Sequence, residues 1–336
     1  METIYFLGVD ISKKTIDTAL TIDGKHFNEV QVDNQTKTVE SFLENLKKQI
    51  ASFSKLIVCM EHTGIYCLPL LNVLTKLKIK VCVEPALQIK QSQGMTRGKT
   101  DQVDARRIAL YAIKNKEHLV FWKPQRLTIQ KLKALLVTRE RLLKMRKQLA
   151  IPIEESQEFV EEVIWKEMVK CCSNTIRALN RDIEKIDSEI DKVVKSDTQL
   201  SEQFLLITSV PGIGKLTALN MIISTGEFKR ITEAKKFACY AGVAPFEHSS
   251  GISYRGKTRV SKMANMTLKR LLHLAAMSAI KCCDELKAFY HRKVEAGKNK
   301  MSVINAVRNK LISRVFACIN NGRKYQKILK CPLHES

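Results

Sequence analysis

Apolar runs and turn residues alternate through the first third of this chain in an order that restricts the folds open to it. Ile4–Asp10, Thr15–Ile22 and His26–Val32 read as three strands, with Asp23-Gly24 between the second and third as a hairpin signal. Three antiparallel strands are expected. Next come a helix over about 36–51, a strand over Leu56–Met60, a helix over about 65–77 and a strand over Ile79–Glu84. A last helix carries Asp101 and Asp104.

Acids sit at the ends of these elements. Asp10 closes the first apolar run, Glu61 follows the run Leu56–Met60, and Lys99-Thr100-Asp101-Gln102-Val103-Asp104-Ala105 sets two carboxylates three residues apart on one face of a first helical turn. Taken singly, Asp101 or Asp104 is an ordinary first-turn acid that favours the helix dipole. Four acids from three elements suit metal-assisted phosphoryl transfer, in which carboxylates hold one or two Mg²⁺ (or Mn²⁺) ions against a scissile phosphate. The element order resembles the α/β ribonuclease H-like (RuvC-like) fold. That fold places its metal-binding acids at the end of the first strand, at the end of the fourth and on the last helix, where Asp10, Glu61, Asp101 and Asp104 stand.

The net charge of +23 calls for a polyanionic partner, because so much uncompensated positive charge repels itself unless something screens it. The excess is uneven. Residues 1–110 hold 15 Lys+Arg against 12 Asp+Glu, and the remainder holds 42 against 22, so the basic surface lies after the acids in sequence. Nucleic acid is the leading partner. Ten cysteines include the pairs Cys171-Cys172 and Cys282-Cys283 but no C-x-x-C, which argues against a zinc site or a disulfide framework and for buried thiols in a reducing cytoplasm. No apolar run reaches the ~18 residues of a membrane span, so a cytoplasmic protein with no membrane partner is expected.

Three domains are expected: 1–120 with the acids, a stalk over 121–200, and a mainly α-helical domain over 201–336. Residues 85–100 read as a basic loop beside the acids, or equally as a plain solvated connection. Ile176, Leu179, Ile183, Ile186, Ile190 and Val193 recur at alternating spacings of three and four, the seam of an α-helical coiled coil. Leu132, Leu135, Leu142 and Leu149 make a looser seam upstream, and Pro152 is expected to break the two helices apart. One seam cannot bury itself, so it must pack on the other helix or on a second protomer, as in a homo-oligomer.

Val210-Pro211-Gly212-Ile213-Gly214-Lys215 resembles the turn of a helix-hairpin-helix element. Gly212 and Gly214 would let the backbone approach a phosphate, with Lys215 opening the next helix; the alternative is a tight helix connection with no ligand. It is not a Walker A loop, since the four-residue spacer and the following Ser or Thr are missing. Gly242 to Gly251 reads as a polar loop containing Ser249 and Ser250. From His248 to Cys283 there is no acid, while Arg255, Lys257, Arg259, Lys262, Lys269, Arg270 and Lys281 are all cationic. Such surroundings suit attack by a serine on a phosphodiester, although Ser-Ser-Gly alone is a common loop composition.

In combination these fragments resemble the DEDD-type insertion-sequence transposases related to the Piv DNA invertase, bridge-RNA-guided recombinases. The N-terminal likeness rests on Gly8-Val9-Asp10, on Glu61 with Thr63-Gly64, and on Lys99-Thr100-Asp101-x-x-Asp104-Ala105. The C-terminal likeness rests on Pro211-Gly212-Ile213-Gly214, Ala241-Gly242-Val243-Ala244-Pro245, Ser250-Gly251, and Arg255-Gly256 leading to Ser261-Lys262. The resemblance implies that Asp10, Glu61, Asp101 and Asp104 bind metal and that Ser250 becomes covalently joined to DNA, with Ser249 as the neighbouring alternative. It also implies a composite site between protomers of a dimer or tetramer, donor and target DNA as substrates, and a guide RNA. Ala264 departs from the pattern, since relatives often carry glycine there. Two other readings stand beside this one: a RuvC-like nuclease or Holliday-junction resolvase in which water attacks, and a non-catalytic nucleic-acid-binding protein.

Overall fold

The computed structural model describes residues 3–50, 52–92, 101–250, 254–260 and 263–326. The chain divides into two units, Met1–Pro124 and Gln125–Ser336.

The first unit contains β1 (Tyr5–Ile11), β2 (Thr15–Thr21), β3 (Asn28–Asp33), α1 (Thr36–Gln49), β4 (Leu56–Glu61), α2 (Leu68–Lys76), β5 (Lys80–Glu84), α3 (Ala86–Gln91) and α4 (Asp101–Lys114). The strands form one sheet in the order β3-β2-β1-β4-β5. β1 pairs antiparallel with β2 and β2 with β3, whereas β4 lies parallel to β1 and β5 parallel to β4. This is the ribonuclease H-like arrangement that the sequence leads one to expect. β3 begins two residues later than expected, because Asp23 Oδ1 accepts the backbone N–H groups of Lys25 at 2.8 Å and His26 at 2.9 Å and so extends the turn. The segment expected as an irregular loop from residue 85 contains α3; residues 93–100, with the rest of that expected loop, lie outside the described residues.

The central strands read as continuous apolar runs because both their faces are covered. Leu7, Val9, Ile11 and Val58 pack with Val39, Leu43 and Leu46 of α1 and Leu70, Leu71 and Leu74 of α2. On the other face Phe6, Ile57, Cys59 and Cys82 pack with Ile108, Tyr111 and Ala112 of α4. Gly8 sets how closely α4 can approach: a Cβ there would overlap the Ala105 carbonyl and the Ala109 amide nitrogen and lie 2.8 Å from Ala109 Cβ. Gly8→Ala is therefore expected to cost about 3 kcal/mol, at the upper end for overpacking, since the obstruction is largely helix backbone that cannot rotate away. Denaturant unfolding would measure it, and a cost below ~0.5 kcal/mol, the scale of a neutral surface change, would show that α4 can slide.

The second unit contains α5 (Leu127–Ser156), α6 (Glu162–Ser196), α7 (Thr198–Thr208), α8 (Lys215–Thr225), α9 (Ala234–Tyr240), β6 (Pro245–Ser250), β7 (Tyr254–Val260), α10 (Met266–Cys282), α11 (Asp284–Glu295) and α12 (Lys300–Asn321). α5 and α6 run antiparallel: Arg139 holds Asp187 at 2.6 and 3.0 Å, and Arg146 donates to Asn180 at 3.0 Å. Of the two partners open to the seam, the structure has α6 packed on α5 of the same chain, with Leu179, Ile183, Ile190 and Val193 buried. The base of this hairpin shares a core with the later helices, where Ile129, Leu132, Ile190 and Val193 join Leu200, Ile207, Phe237, Leu272 and Leu311. Arg126, at the start of α5, donates to Asp197 at 2.7 Å and to Glu227 at 3.0 Å, tying three segments together.

Two sequence expectations need correction here. Pro152 does not end α5, which continues to Ser156. A proline removes one N–H and crowds the carbonyl four residues back; beyond it the last turn is closed by Ser156 Oγ donating to Pro152 O at 2.5 Å and Trp165 Nε1 donating to Ile153 O at 2.9 Å. The break falls over 157–161 instead. The polar loop expected over 242–251 is largely strand: β6 pairs antiparallel with β7 from Pro245–Val260 to Ser250–Tyr254, with a bulge between Phe246 and His248.

Candidate active site

The acids of the first unit are brought together by strand register. Asp10 and Asp17 are directly paired across β1 and β2, and Glu61 and Glu84 are paired across β4 and β5. The β1–β4 pairing runs to Val9–Met60, so Asp10 and Glu61 are next in line. Asp101 and Asp104 occupy the first turn of α4, the helix that covers this face. Burial raises the Asp10 carboxyl from 3.8 to about 6, with repulsion from Asp101, Asp104 and Glu61 adding in that order. Arg107 Nη1 holds Asp104 Oδ1 at 2.8 Å.

Sequence reasoning missed Asp17 and Glu84. Asp17 is 3% exposed, accepts from Gln31 Nε2 at 2.9 and 3.2 Å, and is raised by its burial against that hydrogen bond, with Asp101 adding a little more. Counting back from a two-residue turn at Lys13-Lys14 would have placed Asp17 opposite Asp10. Lys-Lys is not a recognised turn pair, and the turn is held instead by Ser12 Oγ, which accepts from the backbone of Lys14 at 3.3 Å and Thr15 at 2.9 Å. Glu84 is buried beside Cys82, whose thiol donates to it at 3.1 Å.

Like-charged groups directly opposite one another destabilise a sheet, a cost that proton uptake or a bound cation relieves. Among the described residues no group of three or more His, Cys, Asp or Glu meets the spacing of a closed metal site. The donor chemistry nevertheless fits a hard divalent ion: Asp10, Glu61, Asp101 and Asp104 offer only carboxylate oxygens, and their mutual repulsion on Asp10 is what a cation would relieve. The side chains would have to turn inward to ligate.

In the second unit the expected residues fall in two places. Ser249 and Ser250 take consecutive positions at the end of β6, paired with Arg255 and Tyr254, and Arg255, Lys257 and Arg259 take alternate positions on β7. Lys262 lies outside the described residues. Gly212 and Gly214 lie in the turn between α7 and α8. Gly212 has φ +86°, and a Cβ there would come within 2.6 Å of Ala275 O and Ala279 Cβ, so this glycine allows close packing on α10. A Cβ at Gly214 would meet open space. Lys215 Nζ is paired with Asp191 at 2.6 Å.

Sheet order and acid placement thus define a ribonuclease H-like domain followed by a largely helical one that carries a basic β-hairpin. Residues 7–155 match the model of the DEDD_Tnp_IS110 family, described as Transposase, and residues 205–291 match Transposase IS116/IS110/IS902 family. The pilin gene-inverting protein of Moraxella bovis is 28% identical over 96% of this chain and 98% of its own length, and that of Moraxella lacunata is similar to the same extent. The transposase for insertion sequence element IS1111A of Coxiella burnetii is 25% identical over 68% of each chain. Among solved structures, T. thermophilus RuvC in complex with Holliday junction substrate covers 34% of this chain and 95% of its own at 10% identity; its TM-score of 0.28 is too low to carry weight. Two regions that together span most of the chain thus match IS110-type transposase families, and this homology marks the chain as an enzyme that cuts and rejoins DNA. The first model spans the four DEDD acids and the second spans Ser250 and the glycine turn.

Proposed function

We propose that this chain is the transposase of an insertion sequence, cutting and rejoining DNA at a carboxylate metal site with Ser250 as the nucleophile. The observation that carries the reading is the crowding of Asp10 by Asp101, Asp104 and Glu61 in a chain homologous almost end to end with a gene-inverting protein. A divalent cation on these carboxylates, Mg²⁺ or Mn²⁺, would supply Lewis-acid polarisation of a phosphoryl oxygen. Ser250 Oγ would bond to phosphorus while one sugar oxygen leaves and takes up the serine proton. The phosphoserine ester keeps the energy of the broken phosphodiester until a second strand's hydroxyl attacks it and frees Ser250. Cations at Arg255, Lys257, Arg259 and Lys262 favour the negative charge developed on the phosphorane. Phosphate contacts are assigned to the same residues and to the turn bearing Gly212, Gly214 and Lys215.

A guide RNA belongs to this reading through the family resemblance, and the surplus of 42 basic over 22 acidic residues after residue 110 supports binding of more than one nucleic acid. A homo-oligomer belongs to it as well. The tip of the α5–α6 hairpin exposes Phe159 at 85%, Val163 at 70% and Ile164 at 51%, an apolar group suited to a second protomer. No helix among the described residues is long and apolar enough to cross a membrane.

The test is calorimetric titration of Mn²⁺ into wild type and Asp10→Asn, beside strand cleavage with and without the ion. Saturable binding that disappears in the variant is expected, and metal-independent cleavage would overturn the metal site. A separate expectation concerns the hairpin: replacing Arg255, Lys257 and Arg259 together by Ala should flatten the plot of log affinity for duplex DNA against log salt by about 2–3 in slope, one counterion for each phosphate no longer neutralised. An unchanged slope would move the DNA to another surface.

A further inference from the structure

Arg308 on α12 is 7% exposed and has no carboxylate partner among the described residues. Its Nη2 meets His273 Nδ1 of α10 at 2.5 Å, its Nη1 reaches Asn305 Oδ1 only at 3.5 Å, and its Nε has no hydrogen-bond partner among the described residues. Other arginines in this unit are treated differently. Arg126 is held by Asp197 and Glu227, Arg139 by Asp187, and Arg314 by Glu285 at 2.6 Å. A guanidinium stays protonated, so the fold carries an unbalanced charge out of water, which is expensive unless something completes it.

The neighbouring chemistry indicates what completes it. Guanidinium N–H groups only donate, so His273 Nδ1 must be accepting; the imidazole is then neutral and carries its proton on Nε2. Burial and the Arg308 charge both hold His273 below the usual imidazole range. Half-buried, His273 can offer that Nε2–H outward with the cation directly behind it, and the half-buried Lys269 stands one helical turn back on α10. On the same turn of α12, Asn305 and Asn309 donate to Val243 O at 2.8 and 2.9 Å, two residues before β6 starts. The pair therefore lies at the root of the hairpin bearing Ser250, and its His273 falls in the stretch from His248 to Cys283 that contains no acid.

We propose that His273 and Arg308 form a phosphate subsite at the root of the β6–β7 hairpin, the His273 Nε2–H donating to a backbone phosphodiester and the buried guanidinium balancing its charge. The ligand is a nucleic-acid phosphate because the chain from His248 to Cys283 carries seven Lys and Arg residues and no acid, which favours a polyanion over an additional basic segment. β6 spans about 17 Å from Pro245 to Ser250 at strand rise, so this phosphate belongs to the flanking strand rather than to the bond being cut. The inference rests on the DNA-processing reading above.

The experiment uses the full chain with a fluorescein-labelled DNA duplex, measuring affinity at several salt concentrations together with thermal unfolding. Arg308→Met should bind roughly tenfold more weakly, the scale of one charge-assisted hydrogen bond, with a salt slope shallower by about 0.9. It should also unfold about 2–4 °C higher, because an unpaired buried charge has been replaced by an apolar chain of similar volume. A structural arginine would behave oppositely, so a lowered melting temperature with unchanged affinity overturns the proposal. If Arg308→Met does not fold, His273 decides: His273→Gln keeps a donor and should keep affinity, whereas His273→Phe should lose most of the tenfold, and equal affinities overturn the subsite. Wild type that does not bind duplex overturns the DNA-processing reading itself, an outcome distinct from normal wild-type binding that the variants leave unchanged.

Discussion

Asp10→Asn is expected to abolish strand cleavage while making the metal-free protein more stable at neutral pH. The loss of rate should be roughly 10³-fold or greater, the scale of removing a preorganised electrostatic group from a reacting phosphate. The gain in stability follows from the same crowding. Asp10 titrates at about 6 in the fold against 3.8 when unperturbed, so the folded state binds its proton more tightly than the unfolded state does. The cost of ionising Asp10 is therefore fully present above pH 6, fades between 6 and 3.8, and is absent below 3.8. Because the carboxyl remains partly solvated, the full linkage figure has to be reduced for screening, leaving about 1–2 kcal/mol at neutral pH. Melting curves at pH 7.5 and pH 4 would check this: Asp10→Asn should melt higher than wild type at the first and level with it at the second. Wild-type cleavage in this variant, or a lowered melting temperature at pH 7.5, would remove Asp10 from the acid cluster. The pairing of Asp10 with Asp17 gives the result wider meaning, because it would show a sheet that accepts opposed carboxylates for the sake of a cation.

Ser250→Ala should eliminate both recombination and any denaturant-resistant protein–DNA species while leaving DNA binding intact. The loss expected for deleting a covalent nucleophile is on the order of 10⁵–10⁶. Ser249→Ala should retain both activities. The two serines are consecutive positions on β6, paired with Arg255 and Tyr254, and consecutive strand positions belong to opposite faces of the ribbon, so they should not substitute for each other. His248, directly before them and opposite Gly256, is a candidate base. If Ser249→Ala is the dead variant, the nucleophile has been assigned one position too late. If neither substitution changes the products, water attacks and the chain works as a nuclease.

Much of the first unit was legible because its information is local. Leu56–Met60 is apolar without interruption, which a short parallel strand covered on both faces requires, and it became β4 with Glu61 as its last residue. Asp101 and Asp104 three residues apart suit an early helical turn, and both lie in α4. The glycines at 8 and 212 were visible as residues, but their purpose, letting α4 onto β1 and α10 onto the α7–α8 turn, depends on backbones far away in sequence.

Periodicity and end-of-element chemistry determined the five-stranded sheet and the helices α1, α2 and α4, because a strand or helix is specified by neighbours within a few residues. Tertiary structure alone decided the rest. Pro245 to Ser250 has no alternation to mark it as a strand and becomes one only because β7 supplies its hydrogen-bond partners. The turn of α5 after Pro152 is closed by Ser156 and by Trp165, which comes from α6. Asp17 enters the acid row through a register set by a turn, and Arg308 became conspicuous only once packing had taken its water away and put no carboxylate in its place. Desolvation and long-range pairing are properties of what surrounds a residue in space, and no local pattern encodes them.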